Sequence, residues 1–352
     1  MTPAALADLA ATALRRWRLG SAMTGYIGWA GHRNLGDDAM FAAARGLLPA
    51  PVELLRNPTR ERALARVGAG GQHFSRVVLG GGTLMNAGYL PIVEQCIAMG
   101  LPLATLGTGI GSAGFSMAEE GLDPRWQTVL ARFSHIGVRG PRSLAKLRAA
   151  GIAGGEIVGD LALALTPDAP LADWGAKRLL FNAAPSRLAS DSANEAAMRR
   201  GLARLLRDAA AQGWQVVPIA FDPEDFAAIR AIIVEAGIAA PPPVQPRDWP
   251  DWARLAQGAT LSLGVRLHSA VLAASAGIAP LLVGYRDKCA DFAESLGMAE
   301  NVVPMAGFDE ARLMDRFTRL AENPQGAGQG LHAAALGHRA AIRAYAARLS
   351  QG

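Results

Sequence analysis

The sequence predicts an α/β protein of two domains that face a cleft, and three observations carry that expectation. Short apolar β-type runs alternate with amphipathic helical stretches almost from end to end, the pattern of parallel sheets layered with helices. At 352 residues the chain exceeds the usual size of one domain. Near the middle, residues 167–177 (PDAPLADWGAK) are proline-rich and lack periodicity, and they read as a linker.

The elements follow in order. Thr2 is placed to cap a helix with Pro3 in its first turn, and Leu6, Leu9, Ala10, Ala13, Leu14 and Trp17 fall on one stripe at helical spacing. This segment, 1–24, is expected to pack that stripe on the first domain. A membrane-surface anchor is the alternative, because Arg15, Arg16 and Arg18 lie on or near the other side. The first domain, 25–166, has strands expected over 26–29, 76–79, 103–106, 135–138 and 156–158, with helices over 38–48, 89–99 and 141–150. The second, 178–305, repeats the alternation, with strands over 179–182, 215–219, 260–265 and 280–284 and helices near 194–211, 223–236 and 268–276. Residues 306–352 turn helical and, by analogy with two-domain α/β transferases, cross back to the first domain.

Composition narrows the function. Hydrophobic residues at 51% against 18% charged supply two cores, while no stretch of 18 residues is free of charges and helix breakers, so no membrane-spanning helix is expected. Residues 1–18 lack the pattern of a signal peptide. Two isolated cysteines, Cys96 and Cys289, read as free buried thiols in a reducing compartment, and the cytoplasm is expected, at the inner face of the membrane if the surface-anchor reading holds. The net charge of +5 is mild and forms no dense basic run, which argues against nucleic acid and suits an anionic small substrate or a lipid headgroup surface. No acids and histidines show metal-ligand spacing, so neither a metal nor another cofactor is expected, and the G-x-S-x-G elbow of acyl hydrolases is missing.

Four segments could carry chemistry. In the first, a strand runs through Gly28 and Gly31 into Asn34-Leu35-Gly36-Asp37-Asp38, and a helix is expected to begin at Asp37 or Asp38. That places Asp37 either as a helix cap or as a carboxylate at the carboxyl end of a strand, where open α/β sheets bind ligands. In the second, Gly80, Gly81, Gly82 and Thr83 directly follow a strand, so the backbone can approach a ligand closely. A looser Gly107-x-Gly109-x-Gly111 run follows later. In the third, Arg139 ends a strand ahead of Pro141 and Ser143, free to clamp a phosphate or carboxylate with a forked pair of hydrogen bonds. In the fourth, Arg266 and His268 share a face if the backbone between them is extended. The helix start disfavours imidazolium at His268, and a bound anion would reverse that.

Taken together, these segments resemble the polysaccharide pyruvyl transferase family. The order is N-L-G-D-D (34–38), L-G-G-G-T-L (79–84), V-R-x-x-x-S (138–143), V-G-D-L-A-L (158–163), R-L-H-S (266–269) and G-Y-x-x-K (284–288). The resemblance implies a fold similar to B-type glycosyltransferases and transfer of a pyruvyl group from phosphoenolpyruvate to a sugar, as a ketal, with release of phosphate. It implies Arg139 on the donor, Arg266 on its phosphate or carboxylate, His268 as general acid and Asp37 as the acceptor's base. Asn34, Gly81, Gly82, Thr83, Ser143 and Lys288 belong to the matching motifs as candidate substrate-binding residues. The acceptor is expected to be a sugar of a cell-surface or exopolysaccharide precursor; a lipid-linked one and a peripheral membrane contact are both compatible. The chain departs from the family at Asp38, where glutamate is common, at Leu161, where proline is common, and in the added His32-Arg33, which puts the acceptor side in question more than the donor side. Two rivals remain: a nucleotide-sugar glycosyltransferase, which usually carries a carboxylate in the helix that here contains no acid over 270–276, and a non-catalytic sugar or phosphate binder.

Overall fold

The computed structural model describes residues 2–20, 23–48, 51–111, 121–185 and 192–351. The first layer of the chain runs α1 (Pro3–Leu19), β1 (Met23–Ile27), α2 (Leu35–Leu47), β2 (Val52–Leu54), α3 (Pro58–Arg66), β3 (Phe74–Leu79), β4 (Gly82–Met85), α4 (Leu90–Ala98), β5 (Leu103–Ile110), α5 (Pro124–Leu130), β6 (Phe133–Val138), α6 (Pro141–Ala149) and β7 (Gly155–Ile157). Among the described residues its strands form one parallel sheet in the order β2-β1-β3-β5-β6-β7, with β4 alongside β5. After a 3-10 turn over Leu161–Leu165 the second layer runs β8 (Arg178–Phe181), α7 (Ser192–Ala211), β9 (Gln215–Pro218), α8 (Asp225–Ala236), α9 (Trp249–Ala256), β10 (Leu261–Gly264), α10 (Leu267–Ser275), β11 (Ala279–Gly284), α11 (Asp287–Ser295), β12 (Val302–Pro304), α12 (Glu310–Glu322) and α13 (Pro324–Gln351). These strands form a second parallel sheet, β12-β11-β10-β8-β9.

Both orders reverse direction once, between β1 and β3 in the first sheet and between β8 and β10 in the second. At such a reversal the chain leaves neighbouring strands in opposite directions, and the crevice beyond their carboxyl ends is open for a ligand. The loops leaving β1, β3 and β10 therefore determine what the cleft presents. The central strands are buried along their whole length, as parallel sheets covered on both faces require.

α13 runs back over the first sheet. Tyr345 is fully buried against the β6 backbone, where a side chain at Gly137 would stand 2.7 Å from its ring. His338 lies between Val158 O at 3.3 Å and Ser295 O at 2.9 Å, touching both layers. The alanines of α10 let that helix lie close between β10, β11 and α13, and Ser269–Ser275 is buried throughout.

Two expectations are corrected. α2 begins at Leu35, because Asn34 rather than Asp37 or Asp38 caps it, accepting from Gly36 N at 3.1 Å and Asp37 N at 3.3 Å. In the segment 1–24, of which residues 1, 21 and 22 lie outside the described residues, α1 packs only part of its apolar stripe. Ala13 and half-buried Leu9 meet Leu64 and Ala69, with Thr12 and Arg16 turned inward beside them, while Leu6, Leu14 and Trp17 stay about half exposed. The physical reason is Arg16, wholly buried, which bonds Glu53 at 2.7 Å, Glu61 at 2.8 Å and Ala69 O at 2.9 Å and lies 4.6 Å from the Phe74 ring centre. Two buried carboxylates need a cation more than the seam needs a leucine.

Candidate functional site

A cavity of about 250 Å³ opens between the carboxyl ends of the two sheets, lined by Asn34, Asp37, Gly82, Thr83, Arg139, Arg266, His268 and Lys288, with Trp29, Tyr89, Tyr285 and Arg286 among the others. A larger hollow of about 490 Å³ lies beside α1, but it holds none of the motif residues. Eight of the ten candidate residues thus share one small space. Gly81 and Ser143 do not line it.

The first loop is built by short polar contacts. Asp38 accepts from Gly31 N at 2.7 Å and fixes the glycine loop, while Trp29 and His32 stack with ring centres 3.9 Å apart. Leu35 N donates to Phe221 O at 2.8 Å and Asn34 Nδ2 to Asp222 at 3.4 Å, so the start of α2 is docked onto the other layer. Asp37 faces the cavity from the first turn of α2. Burial raises its pKa to about 7, and the Asp38 and Asp160 carboxylates push the same way, against Lys288 and Arg266.

The glycine turn after β3 divides its tasks. Thr108 Oγ1 donates to Leu79 O at 2.7 Å and pins the turn. Gly81 N donates to Tyr26 Oη at 3.2 Å, and a side chain at Gly81 would stand 2.3 Å from Met40 Sδ, so Gly81 is a packing residue here. Gly82, with φ of 103°, turns the chain back so that Thr83 meets the cavity.

The two arginines are held in the same way. Arg139, 1% exposed, bonds Asp291 through Nε at 3.3 Å and Nη2 at 3.2 Å, leaving Nη1 toward Thr83 Oγ1 at 3.5 Å. Arg266 bonds Asp225 through Nε at 2.9 Å and Nη2 at 2.7 Å. Each guanidinium therefore gives its Nε–Nη2 edge to an aspartate, which corrects the expectation of a wholly free fork at Arg139. Asp225 also accepts from Asn182 at 3.1 Å and from Phe221 N at 3.0 Å; burial pushes its pKa up, opposed by Arg266. Asp291 further accepts from Ser143 Oγ at 2.8 Å and Arg142 N at 3.0 Å, so a residue of α11 caps α6 across the cleft. Ser143 acts behind Arg139, through Asp291. Gly109 makes this possible, since a side chain there would stand 2.4 Å from Arg139 Nη2.

His268 crosses from α10 to the first layer. Its imidazole lies on Gly36, where a Cβ would come within 2.0 Å of Nδ1. Nε2 is buried without a hydrogen-bond partner, 3.9 Å from Asp160 Oδ2, itself buried and unpartnered. Burial lowers the imidazole pKa to about 4, Asp160 opposes that, and Lys288, Arg139 and Arg266 reinforce it. Lys288 stands 5.0 Å from the Tyr285 ring centre. Sequence reading gave no role to Asp160, Asp225 or Asp291. Asp160 sat within a motif already noticed, V-G-D; Asp225 and Asp291 carry no local signal, because each is defined by an arginine 41 or 152 residues away.

A model of the polysaccharide pyruvyl transferase family matches residues 34–287. The chain belongs to that family. The matched stretch of this family member begins at Asn34, the last residue of the loop after β1, takes in the loops after β3 and β10, both arginines and His268, and ends one residue before Lys288; α1, β1, α12 and α13 lie outside it. Among solved structures, the UDP-N-acetylglucosamine 2-epimerase of Neisseria meningitidis is similar at a TM-score of 0.62 and 11% identity, over 94% of this chain and 100% of that one. A spinosyn rhamnosyltransferase gives 0.54 and 13%, over 94% and 100%. The 2-epimerase of Methanocaldococcus jannaschii gives 0.52 and 10%, over 88% and 97%. At these identities the likeness establishes the fold, two Rossmann-like layers of B-type glycosyltransferase kind. A search of the curated proteins returned no match.

Proposed function

We propose that this protein transfers the pyruvyl group of phosphoenolpyruvate to two hydroxyls of a sugar, forming a ketal and releasing inorganic phosphate. The observation that carries the reading is the charge of the cavity wall. Arg139, Arg266, Arg286 and Lys288 converge on it, with Asp37 the one carboxylate among the described residues of its lining, beside an imidazole. A donor with a carboxylate and a phosphate needs such a wall. Arginines already fixed by Asp291 and Asp225 lose little rotamer freedom when they bind it.

Protonation of the enol carbon makes C2 an oxocarbenium ion, and a first sugar hydroxyl attacks it. Loss of phosphate regenerates the cation at C2, and the second hydroxyl closes the ketal. Of the two hydroxyl protons, one replaces that delivered to carbon and the other leaves with phosphate. His268 delivers the first proton and Asp37 accepts from the attacking hydroxyl, each step of this kind being worth about 10²–10⁴-fold. The donor's negative charge must raise the imidazole pKa from about 4 for His268 to act so. The stacked Trp29–His32 pair at the mouth supplies an apolar platform for a sugar ring.

A second reading of the roles has its own support. Before the donor binds, the proton near neutrality resides on Asp37, with a pKa of about 7, and not on His268. That favours Asp37 as acid and His268 as base. The pH profile of kcat/KM separates the two. With Asp37 as base, activity rises with pH through about 7, and with Asp37 as acid it falls there. A nucleotide-sugar reaction is disfavoured, since α10 contains no carboxylate to hold a ribose.

Phosphate release from phosphoenolpyruvate, with a panel of sugar acceptors that includes lipid-linked ones, tests the reaction. Acceptor-dependent release that falls at least about 10²-fold in His268→Ala is expected. Absence of release with every acceptor, together with no donor binding by calorimetry, would overturn the assignment.

A further inference from the structure

α1 divides its faces in a way the transfer reaction does not use. Arg16 anchors it inward between Glu53 and Glu61, so the helix is rigidly held. Beside that seam Leu6 is 53% exposed, Leu14 45% and Trp17 53%, and positions 6, 10, 14 and 17 share one side of a helix. Val67, 48% exposed, follows α3 close by, where the Trp17 indole donates to Gly68 O at 3.2 Å. The result is a preformed apolar arc on the surface.

Charge is gathered at the same corner. Residues 1–76 contain ten arginines and five acids, an excess of five, which is the net charge of the whole chain; the remainder holds 25 basic and 25 acidic residues. Two of the five acids, Glu53 and Glu61, are buried on Arg16, and two, Asp37 and Asp38, belong to the cleft loop. Arg15, Arg18, Arg62 and Arg66 are exposed around the arc, and of the five acids only Asp8 shares their surface.

We propose that this corner docks the protein on a bilayer containing anionic phospholipid, with Leu6, Leu14 and Trp17 at the acyl boundary and the surrounding arginines on headgroup phosphates. An apolar arc flanked by cations, with an indole at its edge, has the composition of an interfacial helix. A second copy fits poorly, because a two-fold contact would bring this excess of arginine against itself. The corner also adjoins the cleft. Arg56, just past β2, places Nη2 3.4 Å from where a side chain at Gly31 would stand, so the glycine loop lies near the docked face. The proposal does not depend on the identity of the donor.

Sedimentation of the purified full chain with phosphatidylcholine vesicles, with and without phosphatidylglycerol, is the test. The chain is expected to sediment with the anionic vesicles, to stay in solution with the neutral ones, and to be released by salt. Leu14→Asp combined with Arg18→Glu should lower the partition coefficient at least about tenfold. Neither residue lines the cavity, and a thermal melt matching that of wild type reports that the variant is folded. Failure of the wild type to sediment with anionic vesicles would overturn the proposal, as would a folded double variant that binds like wild type. A wild-type dimer in light scattering that Leu14→Asp splits would assign the arc to a second copy and overturn it too.

Discussion

At the scale of single residues, burial in the cavity shifts two titratable groups in opposite directions. Asp37 is raised to about 7 and His268 is lowered to about 4, both mainly by burial, so near neutrality the imidazole is uncharged and the carboxyl is close to half protonated. The consequence for stability has a definite sign. A carboxyl whose folded pKa is about 7 contributes its full stability below its unfolded value near 4 and loses it as pH rises through 7. Asp37→Asn should therefore raise the melting temperature at pH 8 by at least about 2 °C and change it little at pH 4, while turnover falls at both. Thermal melts at the two pH values check this. Gly36 belongs to the same scale: only a residue without Cβ lets the imidazole lie on the first turn of α2.

At the scale of elements, α6 and α11 meet across the cleft through charges. Asp291 caps α6, holds Arg139 and accepts from Ser143, while Arg142 and Lys146 both reach Asp287 at 2.7 Å. Removing one partner of a buried pair leaves the other uncompensated, at a cost of about 3–5 kcal/mol. Asp291→Ala is expected to cost that much in urea denaturation and to weaken donor binding. The double variant with Arg139→Ala should lose less than the sum of the two singles. Little of this was visible in the sequence. Arg139 stood out because it follows a strand and precedes Pro141, but Asp291 lies in a short helix with no distinctive pattern.

At the scale of the whole molecule, one apolar cluster spans the two layers, beside a second cluster confined to the first. Residues of the first sheet such as Tyr26 and Val78 belong to the same apolar cluster as Phe181 and Leu263 of the second, and Tyr345 of α13 joins it. Unfolding of the full chain should thus be a single transition, with calorimetric and van't Hoff enthalpies in agreement. Truncation after Gly330 should split or abolish it, because β6 loses Tyr345 and the bridging His338 is removed. Two resolved transitions in the intact chain would show that the layers fold apart. None of the described helices is long and apolar enough to cross a bilayer, which limits any membrane contact by them to the surface.

The sequence by itself determined the alternation of strands and helices, the glycine loops and the strand-end positions of Arg139, Arg266 and His268, because each is written in neighbouring residues. Backbone periodicity and turn chemistry are local properties, and a strand followed by a glycine or arginine declares itself within a few positions. Only the tertiary structure decided which edge of each arginine an aspartate takes, that Asp160 faces His268 at 3.9 Å, and that α1 buries Arg16 while exposing Trp17. These depend on what burial does to a charge. A buried ion must find a partner wherever in the chain one is brought near, and Coulomb and desolvation energies follow distance in space, not separation along the sequence.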